Sequence, residues 1–168
     1  EINDKIKNTL IRRAKIIRDA KQKLVAFKRE INKLAKVNYA LIYCTENQID
    51  DVQDWLLKRR PPIISNRITA DDPKKSSDRQ KIVNQLVKEK LNAIVAIKVL
   101  DEGIDIPEAK MCFLLASDGN PKQFVQRRGR VLRRFMGKYK DGSSKEFAVI
   151  FDFLVMPKIN PNAKQDEI

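Results

Sequence analysis

Three side chains that can bind phosphate recur at helical spacing in a short basic segment, QFVQRRGRVLRR, at residues 123–134. Gln126, Arg130 and Arg133 stand at i, i+4 and i+7, which places them on one face of a helix. A guanidinium group keeps its charge at physiological pH, and its planar fork suits phosphate oxygens. The segment therefore predicts a helix that presents a row of phosphate-binding groups. An ordinary solvated basic face is the alternative.

The neighbouring residues predict how this helix, called the arginine helix below, is held in place. Asn120 and Pro121 supply an N-cap residue and a proline at the first helical position. Phe124, Val131 and Phe135 project from roughly the opposite face and would anchor the helix to a core. One side of the arginine helix is thus expected to be buried and the other exposed.

Short apolar runs alternate with amphipathic segments along the rest of the chain. We predict strands at residues 39–44, 63–69, 93–97, 111–116 and 147–153, with helices near residues 47–60 and 77–90, the latter capped by Ser77 or Asp78. This alternation predicts an α/β fold, a parallel sheet sandwiched by helices. Ligands of such sheets bind at the carboxyl ends of the strands. The loop DEGIDIP, at residues 101–107, and the start of the arginine helix both fall there.

The first 36 residues predict one amphipathic helix that serves as a linker and packs on the domain that follows. Arg13 interrupts its apolar stripe, so one break is allowed, and a coiled coil is the alternative. We divide the chain into this segment, a domain at residues 37–156 and a polar tail at residues 157–168. The chain begins at Glu1 without methionine, and we expect it to be part of a larger protein.

The charge of the chain is strongly basic and unevenly distributed. There are 35 Lys and Arg against 22 Asp and Glu, a formal net charge of +13. Residues 1–36 carry 12 basic and 4 acidic residues, and residues 121–140 carry 8 basic and no acidic ones. Such concentration favours nucleic acid as a partner over a membrane, because no apolar amphipathic face with aromatic anchors accompanies it.

Several kinds of chemistry are excluded. The chain contains no histidine, so histidine-based triads and histidine metal sites are absent. Cys44 and Cys112 each lie in an apolar run, which favours buried free thiols in a reducing cytoplasm over a disulfide. The loop after the first strand, CTENQ, has no glycine and is not a P-loop. The chain therefore has candidate phosphate-binding arginines without a nucleotide cradle, which indicates half of a composite site.

At this point the motifs resemble a known family. The segment VAIKVLDEGIDIPEA at residues 95–109 and QRRGRVLR at residues 126–133 resemble motifs V and VI of superfamily 2 helicases and translocases. ALIYCTE at residues 40–46 is similar to motif IV, and Arg79 resembles the arginine of motif IVa. The resemblance covers residues 20–155 and is nearest to DNA-acting members of the XPB, UvsW and restriction-translocase kind. DEAD-box RNA helicases usually have histidine where this chain has Gln126.

This resemblance implies the second of two RecA-like lobes with ATP between them. Arg130 and Arg133 would then reach the ATP phosphates, one as an arginine finger, and Gln126 would place the γ-phosphate or the attacking water. Gly103 would allow close approach of its loop, and Asp105 would accept a hydrogen bond from ribose or couple the cleft to the nucleic acid. ATP and Mg²⁺ would be held mainly by the N-terminal lobe, and this chain alone would be inactive.

The resemblance also implies contacts with nucleic acid. Thr45, Thr69, Arg79 and Lys98 are the candidate residues, although many members have threonine where this chain has Ile97 followed by Lys98. The partners implied are DNA and the N-terminal lobe, with a cytoplasmic or nucleoid location and no membrane. A non-catalytic nucleic-acid-binding module and an RNA helicase lobe are the alternatives. A complete stand-alone ATPase is excluded by the missing P-loop.

Overall fold

The computed structural model describes residues 2–69, 76–97, 106–116, 125, 128–129 and 131–156. The helices are α1 (Ile2–Arg18), α2 (Lys21–Asn32), α3 (Ile49–Lys58) and α4 (Ser76–Val87). The strands are β1 (Ala40–Tyr43), β2 (Ser65–Ile68), β3 (Ala93–Ala96), β4 (Met111–Leu114) and β5 (Val149–Asp152). All five predicted strands are present, each shorter than its apolar run.

The strands form one parallel sheet in the order β2-β3-β1-β4-β5, which confirms the predicted fold class. The pairing registers place one residue of every strand in a single row near the carboxyl edge: Ile68, Ala96, Tyr43, Leu114 and Asp152. Strand β1 is central, with β3 and β2 on one side and β4 and β5 on the other. In parallel sheets, ligands bind at the carboxyl ends of the strands where the strand order reverses, which in this sheet is beside β1.

Alternate residues of each strand enter two cores, one on each face of the sheet. Ala40 and Ile42 of β1 face α2 and α3, while Leu41 and Tyr43 face α4. Val131 of the arginine helix joins the second core. The arginine helix is therefore attached to the same sheet face as α4.

The N-terminal segment differs from its prediction. Two helices form, and the break lies at Asp19–Ala20 instead of Arg13, which is inside α1. Phe27 and Ile31 of α2 are fully buried in the first core, so α2 packs on the sheet as predicted. The first turns of α1 do not contribute to this core. Ile6 and Leu10 are 54% and 57% exposed.

Two smaller features can also be compared with their predictions. Helix α4 begins at Ser76, so Ser77 and Asp78 lie in its first turn and do not cap it. The turn predicted around residues 138–144 is present, with Gly142 at a positive φ of 80° and a bridge between Lys138 and Ser144. Among the described helices, none is long and apolar enough to cross a membrane.

Candidate functional site

The arginine helix is described at residues 125, 128–129 and 131, all of which are helical. The Leu132 amide donates to the Arg128 carbonyl at 3.0 Å, and the helix ends at that turn. Arg133 follows in a bend. The prediction that Arg133 continues the helical row is therefore wrong, and its side chain leaves from the segment after the helix. Gln126 and Arg130 lie outside the described residues.

The predicted anchors that can be compared are confirmed. Val131 is fully buried, and the ring of Phe135 packs 5.1 Å from the ring of Tyr139. Phe124 lies outside the described residues. The arginine helix is thus held at its carboxyl end by apolar contacts with the core that also contains Tyr139.

Lys145 closes the carboxyl end of the arginine helix. Its Nζ donates to the carbonyl oxygens of Val131 at 2.6 Å, Arg133 at 2.9 Å and Pro107 at 2.8 Å. A cation at this end of a helix satisfies carbonyls that have no partner within the helix and opposes the helix dipole. The same ammonium group joins the arginine helix to the end of the DEGIDIP loop. No sequence signal indicates this role, because Lys145 is distant in sequence from both segments.

Arg128 braces the arginine helix against the sheet. Its Nη2 lies 3.1 Å from Oδ2 of Asp152, whose side chain is 12% exposed. Asp152 is the last residue of β5 and lies in the carboxyl-edge row. Arg128 therefore joins the arginine helix to the end of β5 through an ion pair. Asp152 is absent from the predicted site residues. Its position at the end of an apolar strand could have indicated a role at the carboxyl edge of the sheet.

Gly129 is exposed on the arginine helix and is not required there by the packing of the described residues. A Cβ atom built on it meets nothing within 4 Å, and its φ is not in the left-handed region. A glycine in a helix interior destabilises the helix by about 0.5–1 kcal/mol relative to alanine. Neither backbone strain nor a close internal neighbour explains why glycine stands here.

The structure brings together two of the candidate nucleic-acid residues. Nη2 of Arg79, on α4, donates to the carbonyl oxygen of Thr69 at 3.4 Å, just past the end of β2. Thr45 lies two residues past β1, which is separated from β2 by one strand, a spacing of about 10 Å. These residues therefore lie at the same carboxyl edge. Lys98, Gly103 and Asp105 lie outside the described residues.

The Cys44 thiol, adjacent to Thr45, is not a nucleophile. Cys44 and Cys112 are both buried and do not form a disulfide with each other, as predicted. Burial raises the pKa of Cys44 to about 12, with a smaller contribution from the negative charge of Asp50. A thiol with this pKa is protonated at neutral pH and is unreactive. Cysteine chemistry is thereby excluded at this edge.

The site thus consists of the carboxyl edge of a parallel α/β sheet with an arginine helix braced at it, in a sequence that contains no P-loop. The family model "Helicase conserved C-terminal domain" matches residues 22–135, more than half of the chain. The chain therefore belongs to this family and is the C-terminal RecA-like lobe of a superfamily 2 helicase. The match begins inside α2, in agreement with the burial of that helix.

Individual relatives agree with this assignment. Over 73 residues the chain is 32% identical to the DNA 3'-5' translocase XPB2 of Sulfurisphaera tokodaii, which covers 44% of this chain and 15% of that protein. A DEAD box protein from Methanococcus jannaschii superposes with a TM-score of 0.59 at 18% identity, over 81% of this chain and 33% of that one. The C-terminal domain of the DEAD-box protein Dbp5 gives 0.59 and 18%, over 84% and 74%. The two structures show the same fold.

Proposed function

We propose that this chain is the C-terminal motor lobe of an ATP-dependent DNA helicase or translocase. In this proposal it supplies one or two arginines to ATP held by an N-terminal lobe and contacts the nucleic-acid backbone at its own carboxyl edge. Residues 37–156 would form the lobe, with residues 1–36 before it and a polar tail after it. The observations below support the proposal.

The observation that carries the proposal is the exposed Gly129 in a helix that is otherwise firmly braced. Lys145 and the Arg128–Asp152 ion pair fix the helix in position, so its exposed face is rigid. A glycine on such a face, with no described residue within 4 Å of an added Cβ atom, is explained by another molecule that comes close. A simple phosphate clamp has no need of it, which disfavours the non-catalytic binding module.

The arginines suit phosphoryl transfer because negative charge spreads over the transferred group in the transition state. Positioned arginines that neutralise this charge contribute about 10³–10⁵ in rate. Arg130 and Arg133 would do so, and Gln126 would orient the γ-phosphate or the attacking water. Gly103 and Asp105 would approach the nucleotide from the DEGIDIP loop. ATP with Mg²⁺, held by the N-terminal lobe, supplies the phosphoryl group, so hydrolysis would require closure of the two lobes.

The nucleic-acid track would be formed by Thr45, Thr69, Arg79 and Lys98 at the carboxyl edge. Thr69 and Arg79 already share a hydrogen bond there. We favour DNA because a similar protein is a DNA translocase and because Gln126 replaces the usual histidine of DEAD-box RNA helicases. An RNA helicase lobe is the second candidate, since the DEAD-box structures share the fold.

The decisive test is ATP hydrolysis by the two-lobed protein, wild type against Arg130→Ala, with duplex DNA, single-stranded DNA or RNA as activator. We expect turnover that depends on DNA and is lost in the variant while ATP binding persists. Stimulation by RNA alone would replace DNA with RNA in the proposal. Equal turnover of both proteins would contradict the arginine-finger role, and the absence of any stimulation would favour the binding module.

A further inference from the structure

A cavity of about 190 Å³ opens at the carboxyl edge of the sheet, beside β1, where the strand order reverses. One wall is the last turn of α1 and the residue after it, and the other is the loop between β1 and α3. The lining residues are Lys15, Arg18, Asp19, Cys44, Thr45, Glu46, Asn47, Ile97 and Ala116. The N-terminal helix thus contributes directly to the edge where the family fold binds its ligands.

Two contacts hold the end of α1 over this edge. Lys23, on α2 and 3% exposed, donates from Nζ to the Leu115 carbonyl at 2.9 Å, just past β4. Asp19, between α1 and α2, accepts a hydrogen bond on Oδ2 from Nδ2 of Asn47 at 3.0 Å. The first contact fixes the start of α2 on the sheet, and the second joins the end of α1 to the opposite wall. Specific hydrogen bonds therefore hold the two walls of the cavity in place.

Thr45, which lines this cavity, carries a hydroxyl group that has no hydrogen-bond partner among the described residues. Its residue is 6% exposed, and its Oγ1 is buried without a hydrogen-bond partner among the described residues. The backbone of Thr45 is already engaged, because its amide donates to Oε1 of Gln48 at 3.2 Å. Buried hydroxyl groups in folded proteins normally have a partner. Because Thr45 lines the cavity, an oxygen atom of a ligand bound there would be the partner of its hydroxyl group.

The charge of the cavity limits which anion fits. Lys15 and Arg18 are cationic, while Asp19 and Glu46 are anionic, so the lining is formally neutral. A multiply charged group such as a nucleoside triphosphate would be repelled by the two carboxylates. A phosphodiester carries one negative charge, and it can accept hydrogen bonds from an ammonium group and a hydroxyl at the same time. The site therefore suits a backbone phosphate.

We propose that the last turn of α1 and Thr45 together form a subsite for one phosphodiester of a single-stranded nucleic acid. Lys15 and Arg18 supply the positive charge, and the Thr45 hydroxyl supplies the directional donor. This inference rests on the proposed nucleic-acid binding of the lobe and adds to it, because it makes the helix before the sheet part of the track. The shared chemistry is the sugar–phosphate backbone, of DNA or of RNA.

The test measures binding of this 168-residue chain to fluorescein-labelled single-stranded DNA and RNA of the same sequence, by anisotropy over a series of salt concentrations. The variants are Lys15→Gln and Thr45→Val, and the matched control is Lys7→Gln, an exposed lysine about two turns earlier on α1 that does not line the cavity. Unlabelled ATP is added as a competitor.

We expect Lys15→Gln to reduce the slope of log K against log salt by about 0.7, the value for one phosphate contact on a single strand. Thr45→Val should weaken binding about tenfold with an unchanged slope, because it removes a hydrogen bond and no charge. Lys7→Gln should match the wild type, and ATP should not compete. The ligand is DNA or RNA, whichever of the two strands is bound more weakly by both variants.

The subsite is refuted if the wild type binds while Lys15→Gln equals Lys7→Gln and Thr45→Val equals the wild type. That result leaves the proposed function intact. Failure of the wild type to bind either strand refutes both the subsite and the proposed track. Lys15 is exposed, so its substitution tests the subsite even if Thr45→Val perturbs folding.

Discussion

Replacement of Gly129 by alanine should stabilise this chain and strongly reduce ATP hydrolysis by the proposed two-lobed protein. Among the described residues, the added methyl group meets no atom within 4 Å, and the backbone does not need glycine. The free energy of unfolding should therefore rise by roughly 0.5–1 kcal/mol, the difference in helix preference between the two residues. For a domain of this size, 1 kcal/mol shifts Tm by about 2–4 °C. Thermal unfolding followed by circular dichroism would measure this change.

Activity should change in the opposite direction. If ATP or the N-terminal lobe approaches the exposed face at Gly129, the methyl group displaces it, and a displacement of 1 Å can reduce the rate by about 10²-fold. We expect a fall of this order in DNA-stimulated ATP hydrolysis by the Gly129→Ala two-lobed protein. Normal turnover together with raised stability would refute our explanation of the glycine.

Gly142→Ala is the matched control. This glycine has a φ of +80° in the turn after the arginine helix, and a Cβ atom there also has open space. The left-handed conformation costs an L-residue about 1–2 kcal/mol, so this variant should lose stability. Its turnover per folded molecule should be unchanged. The two substitutions are chemically identical, yet they should change stability in opposite directions, and only Gly129→Ala should reduce turnover.

Three further predictions concern the braces and the buried groups. Lys145→Met should lower the free energy of unfolding by about 2 kcal/mol. Hydrogen bonds to a charged donor contribute about 1.5–3 kcal/mol each, and this ammonium group is only partly buried. The control is the exposed Lys140→Met, which should change the free energy by less than about 0.5 kcal/mol when both variants are measured by urea unfolding. Desolvation, with smaller contributions from Glu108 and Asp141, raises the pKa of Tyr139 to about 12. The stability that this shift represents is complete below the ordinary value of 10.0 and is lost as pH rises from there through about 12, so Tyr139→Phe should unfold less steeply with pH in that window. Cys44, with its pKa raised to about 12 by burial, should react with a thiol reagent at neutral pH only after unfolding, and rapid labelling of the native chain would contradict the described packing.

The centre of the sheet was predictable because strands β1, β3 and β4 are apolar on both faces. Runs such as ALIYC and AIVAI cannot alternate between core and solvent, and helical segments between them require parallel crossovers. Strand β2, with the sequence SNRI, has no such apolar run. The order β2-β3-β1-β4-β5 does not follow from the apolar pattern, since it depends on which helix covers which face.

The errors arose where tertiary contacts override local pattern. The break between α1 and α2 falls at Asp19–Ala20, where Asp19 accepts a hydrogen bond from Asn47 and Lys23 donates one to the residue after β4. Neither partner is near this break in sequence. The arginine helix ends before Arg133 where Lys145 binds the carbonyls of Val131 and Arg133. A prediction from helical spacing alone has no signal for a helix end that is set by a residue distant in sequence, so it could not locate this end.

The site residues divide in the same way. Thr45, Thr69 and Arg79 were nominated from motifs, and the last two are joined by a hydrogen bond at the predicted edge. Lys145 and Asp152 were missed, since they act on the arginine helix and not on a ligand. Motifs identify residues that contact substrates, whereas the residues that position them are found only from packing and hydrogen bonds.

The two braces connect the candidate ATP-facing helix with the candidate nucleic-acid edge through rigid structure. Asp152, which pairs with Arg128, lies in the same strand-end row as Tyr43, two residues before Thr45. Between them are only the paired ends of β1, β4 and β5, and parallel strands joined by continuous hydrogen bonds do not slide independently. Displacement of the arginine helix by lobe closure would therefore carry the Thr45 edge with it. In the proposed function, a lobe of this construction would move along nucleic acid as one body and would need no flexible relay between its two candidate sites.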